Sequence, residues 1–370
     1  MTRPRWTLIA VLVIVFGCQR EVHIGVILPE TGSAAAYGAS IASGVRLAFE
    51  AHGMTGPGGE SIVVAFRDSA SDPAVAVAAA EALADLGAAL LIAGATTAEA
   101  RAILPLADRR EIVVLSPSAS APGLASRSIF FFRLYPSDEA EGVMAADFLV
   151  IQRQARSILV IQEDSDYTRG LLPIFVAELP HRGARVVAIA NTAEPGWEET
   201  VRSAVVEHRP DGVYVCGYGE AIVASLRVLR STRFQGTVCT TSAVRTFGVV
   251  REVSQLVERT FFPQMFFDPS SDQDPVRGFV ARYREAYNLQ PDIYAACGYD
   301  SAKAALAAVE SAGSMDGRAL ARELQALGPR PGVTGPLSFD DVGNITRTLR
   351  VHVIQGGRVT VLDAAGAGNR

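Results

Sequence analysis

The sequence predicts an α/β protein with two parallel sheets, each covered by helices on both faces. Three observations support this prediction. Short β-branched runs alternate with alanine- and leucine-rich segments of helical spacing through most of the chain. Of the 370 residues, 49% are hydrophobic and 20% are charged, which is enough apolar material for a large core. A chain of this length is expected to form two domains.

The first element is an N-terminal export signal. Arg3 and Arg5 precede an apolar stretch at residues 7–17, which is too short for the ~20 residues of a membrane span but suits a secretory signal. Gly17 before Cys18 resembles the lipobox of bacterial lipoproteins, although Phe16 is bulky for its place there. We therefore expect a signal peptide at residues 1–17 and a lipid on Cys18. An uncleaved anchor helix is the alternative.

Eight β-branched runs then predict buried strands, and the segments between them predict helices. Parallel strands joined in this way have right-handed crossovers, and their ligands bind at the carboxyl ends of the strands. The predicted strands are residues 22–28, 61–66, 89–93, 112–115, 157–162, 184–190, 212–216 and 237–241. The predicted helices are residues 40–51, 73–86, 98–109, 137–153, 167–179, 197–208 and 220–231.

Three further apolar runs are candidates for crossings between the two sheets. They lie at residues 129–136, 260–267 and 335–339. Three crossings would make each lobe discontinuous in sequence. Ordinary core strands are the alternative interpretation of these runs.

Composition and motifs exclude several functional classes. The formal net charge is -5, so no excess of cations is present to bind a nucleic acid or another polyanion. Cys216, Cys239 and Cys297 form no CxxC pair and allow one disulfide at most, and their apolar surroundings favour buried thiols. None of the five histidines belongs to an HExxH pair, and the sequence has no GxSxG elbow or Walker loop. We expect no catalysis, no metal and no cofactor.

A dinucleotide fingerprint begins after the strand at 212–216 but is incomplete. Gly217-Tyr218-Gly219 has the right start, whereas Ile222 stands where a third glycine would allow close helix packing. A nucleotide site is therefore not expected.

Two loops at strand ends have the chemistry to hold a small polar ligand. Residues 94–99 follow the third predicted strand, and residues 116–120 follow the fourth. Both are rich in hydroxyl groups, and the first leads into a helix whose initial N–H groups could bind a carboxylate. Helix capping and turn formation are the alternative roles.

Short motifs follow one another along the chain at residues 24–33, 37–38, 68–73, 115–117, 132–133, 136–138, 166–170, 298–300 and 335–340. Their order resembles that of bacterial solute-binding proteins of the branched-chain amino-acid (leucine/isoleucine/valine) ABC transporter class. The resemblance extends from Val22 to Leu362 and implies a type I periplasmic-binding fold. In that fold two Rossmann-like doubly wound lobes are joined by three hinge crossovers and enclose a ligand cleft.

The resemblance also implies lobe boundaries. The N-terminal lobe would comprise residues 18–136 and 268–336, and the C-terminal lobe residues 137–267 and 337–363. A flexible tail would follow at residues 364–370. The cysteine pair that forms the family's first-lobe disulfide is replaced here by Ser71 and Thr96.

Ligand-binding residues follow from the same resemblance. The loop with Thr96 and Thr97 and the loop with Ser118, Ala119 and Ser120 would hold a ligand carboxylate. Tyr37 would cover the ligand from the first lobe and Tyr218 from the second, with Tyr167 completing the predicted set. Ser242 occupies the place of the acid that pairs with the ligand's ammonium group in the family.

The serine at position 242 predicts ligands without a free α-amino group, because a buried ammonium needs a countercharge. Substitute charges near the expected cleft rim are Glu30, Glu99, Asp166 and Glu220. Roles as solvated or helix-end residues are the alternative for each.

The expected function is that of a non-enzymatic lipoprotein of the periplasm or cell envelope, anchored to the membrane through Cys18. It would close on a small polar molecule, such as an amino acid, an amide or a small carboxylate, and deliver it to an ABC transporter permease. One alternative is a sensory or regulatory ligand-binding protein that signals to a receptor partner. Another is an exported α/β enzyme, but no nucleophile and base are recognisable.

Overall fold

The computed structural model describes residues 21–55, 59–245 and 253–362. The predicted signal peptide, the lipidation residue Cys18 and the predicted tail at 364–370 lie outside these ranges. Within them, no helix combines the length and the apolar character needed to cross a membrane.

The first sheet has five parallel strands in the order β2-β1-β3-β4-β5. Alternate side chains of its strands face opposite sides: Ile24 and Val26 pack into one core cluster, and Ile27 into the other. The sheet is therefore buried on both faces, as the sequence predicts. Its strands are Glu21–Leu28 (β1), Ser61–Asp68 (β2), Leu90–Ile92 (β3), Val113–Ser116 (β4) and Phe131–Arg133 (β5).

The second sheet has seven strands in the order β12-β11-β10-β9-β8-β6-β7. Strands β6 to β10 are parallel, and β11 and β12 add an antiparallel hairpin at one edge. The strands are Ser157–Gln162 (β6), Arg185–Asn191 (β7), Gly212–Cys216 (β8), Thr237–Thr240 (β9), Thr260–Met265 (β10), Leu349–Gln355 (β11) and Arg358–Val361 (β12).

Helices connect the strands and cover both sheets. The helices around the first sheet are Ala35–His52 (α1), Pro73–Asp85 (α2) and Thr97–Arg110 (α3). Those around the second sheet are Asp138–Ala146 (α4), Asp166–His181 (α5), Trp197–His208 (α6) and Gly219–Ser231 (α7). The chain then returns to the first sheet with Val276–Tyr287 (α8), Ile293–Ala312 (α9) and Gly317–Gln325 (α10).

Each sheet is doubly wound. In the first lobe, α1, α8, α9 and α10 pack on one face and α2 and α3 on the other. In the second lobe, α4 and α5 cover one face and α6 and α7 the other. The predicted fold class is confirmed.

Helices α1 and α9 approach each other closely through glycines. A Cβ atom on Gly44 would lie 1.9 Å from the carbonyl oxygen of Ala295, and one on Gly298 would lie 2.2 Å from that of Ile41. Two residues after Gly298, the buried Asp300 carboxylate accepts hydrogen bonds from the N–H groups of Val333 and Thr334, at 2.9 and 2.8 Å. These contacts fix α9 and the 333–334 loop to the core of the first lobe.

Most predicted strands and helices are present within a few residues of the expected bounds, but three regions differ. The helix predicted at 137–153 changes at residue 147 into a π-helical turn, Asp147–Gln152. Helices α8 to α10 and the β11–β12 hairpin were not predicted. The run at 335–339 forms isolated bridges and no strand, and Leu337 packs in the first-lobe core together with Ile345. The predicted lobe boundaries stay a prediction.

The cysteines Cys216, Cys239 and Cys297 are all buried and free. The interpretation as buried thiols is confirmed, and no two of them pair.

Candidate functional site

A closed inner pocket lies between the two lobes, at the carboxyl ends of their strands. Seven of the nine predicted ligand-binding residues line it, together with Ala95, Tyr135 and Tyr294. The space between its atoms measures about 300 Å³, but a water molecule's centre can move through only about 10 Å³ of it. A ligand can therefore enter only when the lobes separate or side chains move. The seven predicted residues are Tyr37, Thr97, Ser118, Ser120, Tyr167, Tyr218 and Ser242.

The other two predicted residues are not in the lining of this pocket. The N–H group of Ala119 donates to Ser116 Oγ at 3.1 Å, and its side chain packs in the first-lobe core. Thr96 is the N-cap of α3: its hydroxyl accepts from the Glu99 N–H, and its own N–H donates to the Glu99 carboxylate. Thr96 instead lines the outer cleft described below. The capping role, given as the alternative, accounts for Thr96.

The hydroxyl groups that the first lobe contributes to the pocket differ in whether they already form a hydrogen bond within the protein. Ser118 Oγ donates to the Ala95 carbonyl at 2.6 Å, so that bond fixes its direction. Thr97 is 2% exposed, and its hydroxyl forms no hydrogen bond within the described part of the chain. It stands on the first residue of α3, where the helix N-terminus favours a negative or carbonyl group. Thr97 is therefore the first-lobe group best placed to receive a ligand acceptor.

Five tyrosines form the aromatic wall of the pocket. The Tyr37 hydroxyl donates to the Tyr294 hydroxyl at 2.8 Å, and their ring centroids are 4.2 Å apart. Tyr218 bridges the lobes, because its ring lies 6.4 Å from that of Tyr37 and 5.1 Å from that of Tyr167. Burial raises the pKa of the Tyr37, Tyr167 and Tyr218 phenols well above the usual value, so these three act as neutral groups. Tyr135 and Tyr294 were not predicted.

Two buried carboxylates on α4 lie directly behind the second-lobe part of the pocket. Asp138 and Glu141 are each 1% exposed. The Glu141 carboxylate accepts hydrogen bonds from the N–H and Oγ of Ser242, at 2.9 and 3.1 Å, and from the Tyr167 hydroxyl at 3.3 Å. The Asp138 N–H donates to the Ser120 carbonyl at 2.8 Å. Both acids thus contact residues that line the pocket.

Burial dominates the electrostatics of this pair. Desolvation raises the pKa of Glu141 to about 7, in spite of its three hydrogen bonds. Desolvation, and next the charge of Glu141, raise the pKa of Asp138 well above its usual range. The two acids therefore retain a proton at pH values at which exposed carboxylates are ionised.

Position 242 is a serine, as the sequence shows, but the structure places a carboxylate against it. Ser242 is itself bonded to Glu141, a residue 101 positions away in sequence. Spacing along the chain could not reveal this contact, because α4 and the 242 loop are brought together only by the second-lobe sheet. One signal was available: Asp138 belongs to the segment 136–138 that carries the resemblance, three residues before Glu141.

Three of the four acids proposed as substitute charges are occupied elsewhere. Glu30 pairs with Arg46 at 3.3 Å, and Asp166 pairs with Arg101 and Arg169. Glu99 is buried and bonded to Ser69 Oγ and the Thr96 N–H. Glu220 lines the outer cleft.

The outer cleft forms the mouth of the site, with about 1310 Å³ of space by the same measure as the inner pocket. It shares Tyr37, Tyr167 and Tyr218 with the inner pocket. The ion pair of Arg101 on α3 and Asp166 on α5, at 3.5 Å, joins the two lobes nearby. The conformation is thus one in which the lobes are closed.

Comparison with known proteins agrees with this architecture. A family profile described as periplasmic binding protein matches residues 21–358. The chain is 25% identical over 344 residues to the Leu/Ile/Val-binding protein homolog 1 of Brucella suis, covering 90% of each chain. It is 27% identical to an amino acid binding protein of Pseudomonas aeruginosa, covering 88% of this chain and 87% of the relative. A solved leucine binding protein from Thermotoga maritima superposes with a TM-score of 0.86 and 25% identity, covering 92% of this chain and 98% of that one.

Proposed function

The chain belongs to the periplasmic binding protein family, and from this premise we propose that it is an extracytoplasmic protein that binds a small polar molecule and delivers it to an ABC transporter permease. The inner pocket is the observation that carries the proposal. It is enclosed by both lobes and lies at the carboxyl ends of their strands. Its lining combines hydroxyl side chains, such as that of Thr97, with the rings of five tyrosines.

Binding would proceed by closure of the lobes on the ligand. Thr97 and the N-terminus of α3 offer donors to a carboxylate or carbonyl end of the ligand. Tyr218 and Tyr167 then cover the ligand from the second lobe. A ligand favours the closed state only by as much as it binds that state better than the open one. The permease would recognise the closed form.

A ligand screen tests the binding step. The purified full chain in detergent is heated with amino acids, short amides, polyols and small carboxylates, because a ligand at 100 times its Kd stabilises the folded state by about 2.7 kcal/mol. We expect a saturable rise in Tm with at least one of these compounds. Absence of any rise with every compound at millimolar concentration would contradict the proposal.

Uptake tests the delivery step. A strain that lacks the gene should take up the identified compound more slowly than the parent strain, and the wild-type gene should restore uptake. Unchanged uptake, together with a changed transcriptional response to the compound, would favour the sensory alternative.

The same proposal includes a lipid anchor on Cys18. In Cys18→Ser we expect loss of labelling by a fatty-acid probe and release or mislocalisation of the protein, because the apolar stretch before Cys18 is too short to span a bilayer. Membrane fractionation and labelling measure this. The control is Cys297→Ser, which changes a buried thiol and should leave labelling intact. Equal labelling of Cys18→Ser and wild type would refute the anchor.

A further inference from the structure

We propose that the edge of the second sheet that faces away from the inner pocket binds an anionic phospholipid surface through a row of arginines. We call this row the basic edge. Each of its arginines is exposed and stands at, or up to four residues before, the first residue of a strand. The six are Arg156, Arg185, Arg209, Arg233, Arg259 and Arg358.

The topology of the second sheet brings these arginines to one side. Strands β6 to β10 are parallel, so their first residues lie beside one another. Strand β11 runs in the opposite direction, and the turn from β11 to β12 therefore reaches the same edge, where the Arg259 N–H donates to the Ile354 carbonyl at 2.8 Å. Neighbouring strands are about 4.8 Å apart, so the row extends over about 30 Å across the sheet.

The guanidinium groups of this row are largely available to a partner. Arg156 donates to the Arg182 carbonyl at 2.8 Å. The other five arginines of the basic edge form no side-chain hydrogen bond and no ion pair within the described part of the chain. Their charge is therefore not balanced by direct contacts inside the protein.

The acids near this edge do not neutralise the row. Asp211 accepts hydrogen bonds from two backbone N–H groups, at 2.8 and 2.9 Å, and Glu258 accepts one from a third, at 2.9 Å. Both carboxylates thus stabilise the backbone of the edge. Glu207 is exposed in the last turn of α6. Among the residues that the structure describes, none of these three acids lies within 4.0 Å of a cationic nitrogen.

Two further arginines add positive charge behind Arg259. Burial, and next the charge of Arg259, lower the pKa of Arg153 and of Arg230. The guanidinium carbon of Arg153 lies 4.6 Å from the ring centroid of Phe261, and Arg230 donates to the Glu258 carbonyl at 2.8 Å. Like charges at such proximity repel one another, and an external anion would reduce this repulsion.

Helix ends explain only part of this pattern. Arg209 is the C-cap of α6, and Arg233 follows the last residue of α7 by two positions, where a cation interacts favourably with the helix dipole. Arg185 and Arg358 are the first residues of their strands, so helix capping does not account for them.

The corresponding edge of the first sheet is different. Strand β1 begins with Glu21, and Glu60 and Glu111 precede β2 and β4. Because the inner pocket lies at the carboxyl ends of both sheets, their two amino edges lie at opposite ends of the molecule. The basic edge is therefore separate from the proposed lipid on Cys18, which precedes β1 by three residues.

Exposed apolar side chains beside the row favour a lipid surface over a soluble polyanion. Ile151 is 60% exposed in the turn that leads to Arg156, and Val206 is 72% exposed in the last turn of α6, before Arg209. Arginines next to aliphatic side chains are typical of protein surfaces that bind at the membrane interface. The formal net charge of -5 does not reveal this row, because acids elsewhere in the chain outweigh it.

Vesicle co-sedimentation tests the inference. The full chain carries Cys18→Ser, so that no lipid is attached to it, and is mixed with vesicles of phosphatidylcholine alone or with about 30% phosphatidylglycerol. We expect binding to the anionic vesicles to be about tenfold or more tighter than binding to the neutral ones at about 0.1 M salt. This preference should disappear at about 1 M salt, where the Debye length falls from about 10 Å to about 3 Å.

A triple variant connects the preference to the basic edge. Arg185→Gln, Arg209→Gln and Arg233→Gln are combined, and we expect the protein to fold because these side chains have no partner in the described chain. An arginine near an anionic surface contributes about fivefold to affinity. The triple variant should therefore bind the anionic vesicles about tenfold or more weakly than its parent.

The matched control combines Arg109→Gln, Arg127→Gln and Arg322→Gln. These three exposed arginines belong to the first lobe, and their replacement changes the net charge by the same amount. The control should bind the anionic vesicles within about twofold of the parent. Thermal unfolding checks that both triple variants are folded.

Several outcomes would overturn the inference. Equal binding of the parent to neutral and anionic vesicles is one, and undiminished binding of the basic-edge variant is another. Equal losses in the two triple variants would assign the effect to net charge. Binding to inorganic polyphosphate but not to the anionic vesicles would indicate a soluble polyanion or an acidic protein as the partner. None of these outcomes affects the proposed ligand-binding function, because the basic edge and the inner pocket share no residue.

Discussion

At the scale of single residues, neighbouring hydroxyl groups differ in function because some of them already form hydrogen bonds with the local backbone. Thr96 caps α3 with its hydroxyl, whereas Thr97, the next residue, lines the pocket and forms no side-chain hydrogen bond inside the described chain. Both residues have the same chemistry and were predicted together. Only the helix start, which falls between them, distinguishes a structural threonine from one available to a ligand.

This difference gives a prediction for the two threonines. Thr97→Val should weaken ligand binding by about 1 to 3 kcal/mol, because it leaves a ligand acceptor without its donor in a desolvated site. Thr96→Val should leave Kd nearly unchanged and lower the free energy of unfolding by about 1 kcal/mol, because it removes the cap. Calorimetry and thermal unfolding measure the two effects. Equal affinities of Thr97→Val and wild type would show that Thr97 does not contact the ligand.

Residue types alone could predict the first-lobe side of the site better than the second-lobe side. Hydroxyl groups in strand-end loops are visible in the sequence, and Thr97, Ser118 and Ser120 all line the pocket. Glu141 could not be found in this way, because its position next to the pocket residue Ser242 depends on a contact across 101 residues. Charges that act through tertiary contacts have no local pattern.

At the scale of elements, the alternation of strands and helices was predictable wherever the spacing of apolar residues was typical of a strand or of a helix. The strands at Ser157–Gln162 and Gly212–Cys216 match the predicted runs, since their apolar residues face covered sheets on both sides. Helix α9 was not recognised, although it is 20 residues long. Its alanines are buried almost all round, so it lacks the polar face that marks a surface helix.

The contact between α1 and α9 leads to a prediction about element packing. Gly44→Ala should lower the free energy of unfolding by about 1 to 3 kcal/mol, because the new Cβ would lie 1.9 Å from the Ala295 carbonyl oxygen. This clash exceeds the gain of up to about 1 kcal/mol in helix propensity. Since α1 carries Tyr37 and α9 carries Tyr294, ligand affinity should fall as well.

Gly328→Ala is the matched control, because nothing lies within 4 Å of a Cβ at that exposed position. Denaturant unfolding compares the two variants. A Gly44→Ala protein as stable as Gly328→Ala would show that the two helices can separate without penalty.

At the scale of the whole molecule, the buried acids make stability depend on pH. Above about pH 4.5, the ordinary pKa of glutamate, Glu141 is ionised in the unfolded chain, while the folded protein keeps it protonated until about pH 7. The folded state binds more protons in this interval, so the free energy of unfolding should fall as pH rises from 4.5 to 7. Glu141→Gln should remove this contribution and stabilise the ligand-free protein at pH 8 by about 1 to 3 kcal/mol.

Chemical denaturation of the ligand-free protein at pH 5 and pH 8 measures this dependence. The variant should gain stability over wild type at pH 8 and much less at pH 5. A gain of the same size at both pH values would mean that the effect comes from packing and not from the charge of Glu141.

The return of the chain to the first lobe affects how quickly the protein can fold. The Tyr37 and Tyr294 hydroxyls that meet in the pocket are 257 residues apart in sequence, and α1 packs against α9, which is synthesised after most of the second sheet. Contacts so distant in sequence give a high contact order, and high contact order slows folding. The first lobe therefore cannot be completed while the nascent chain is still short.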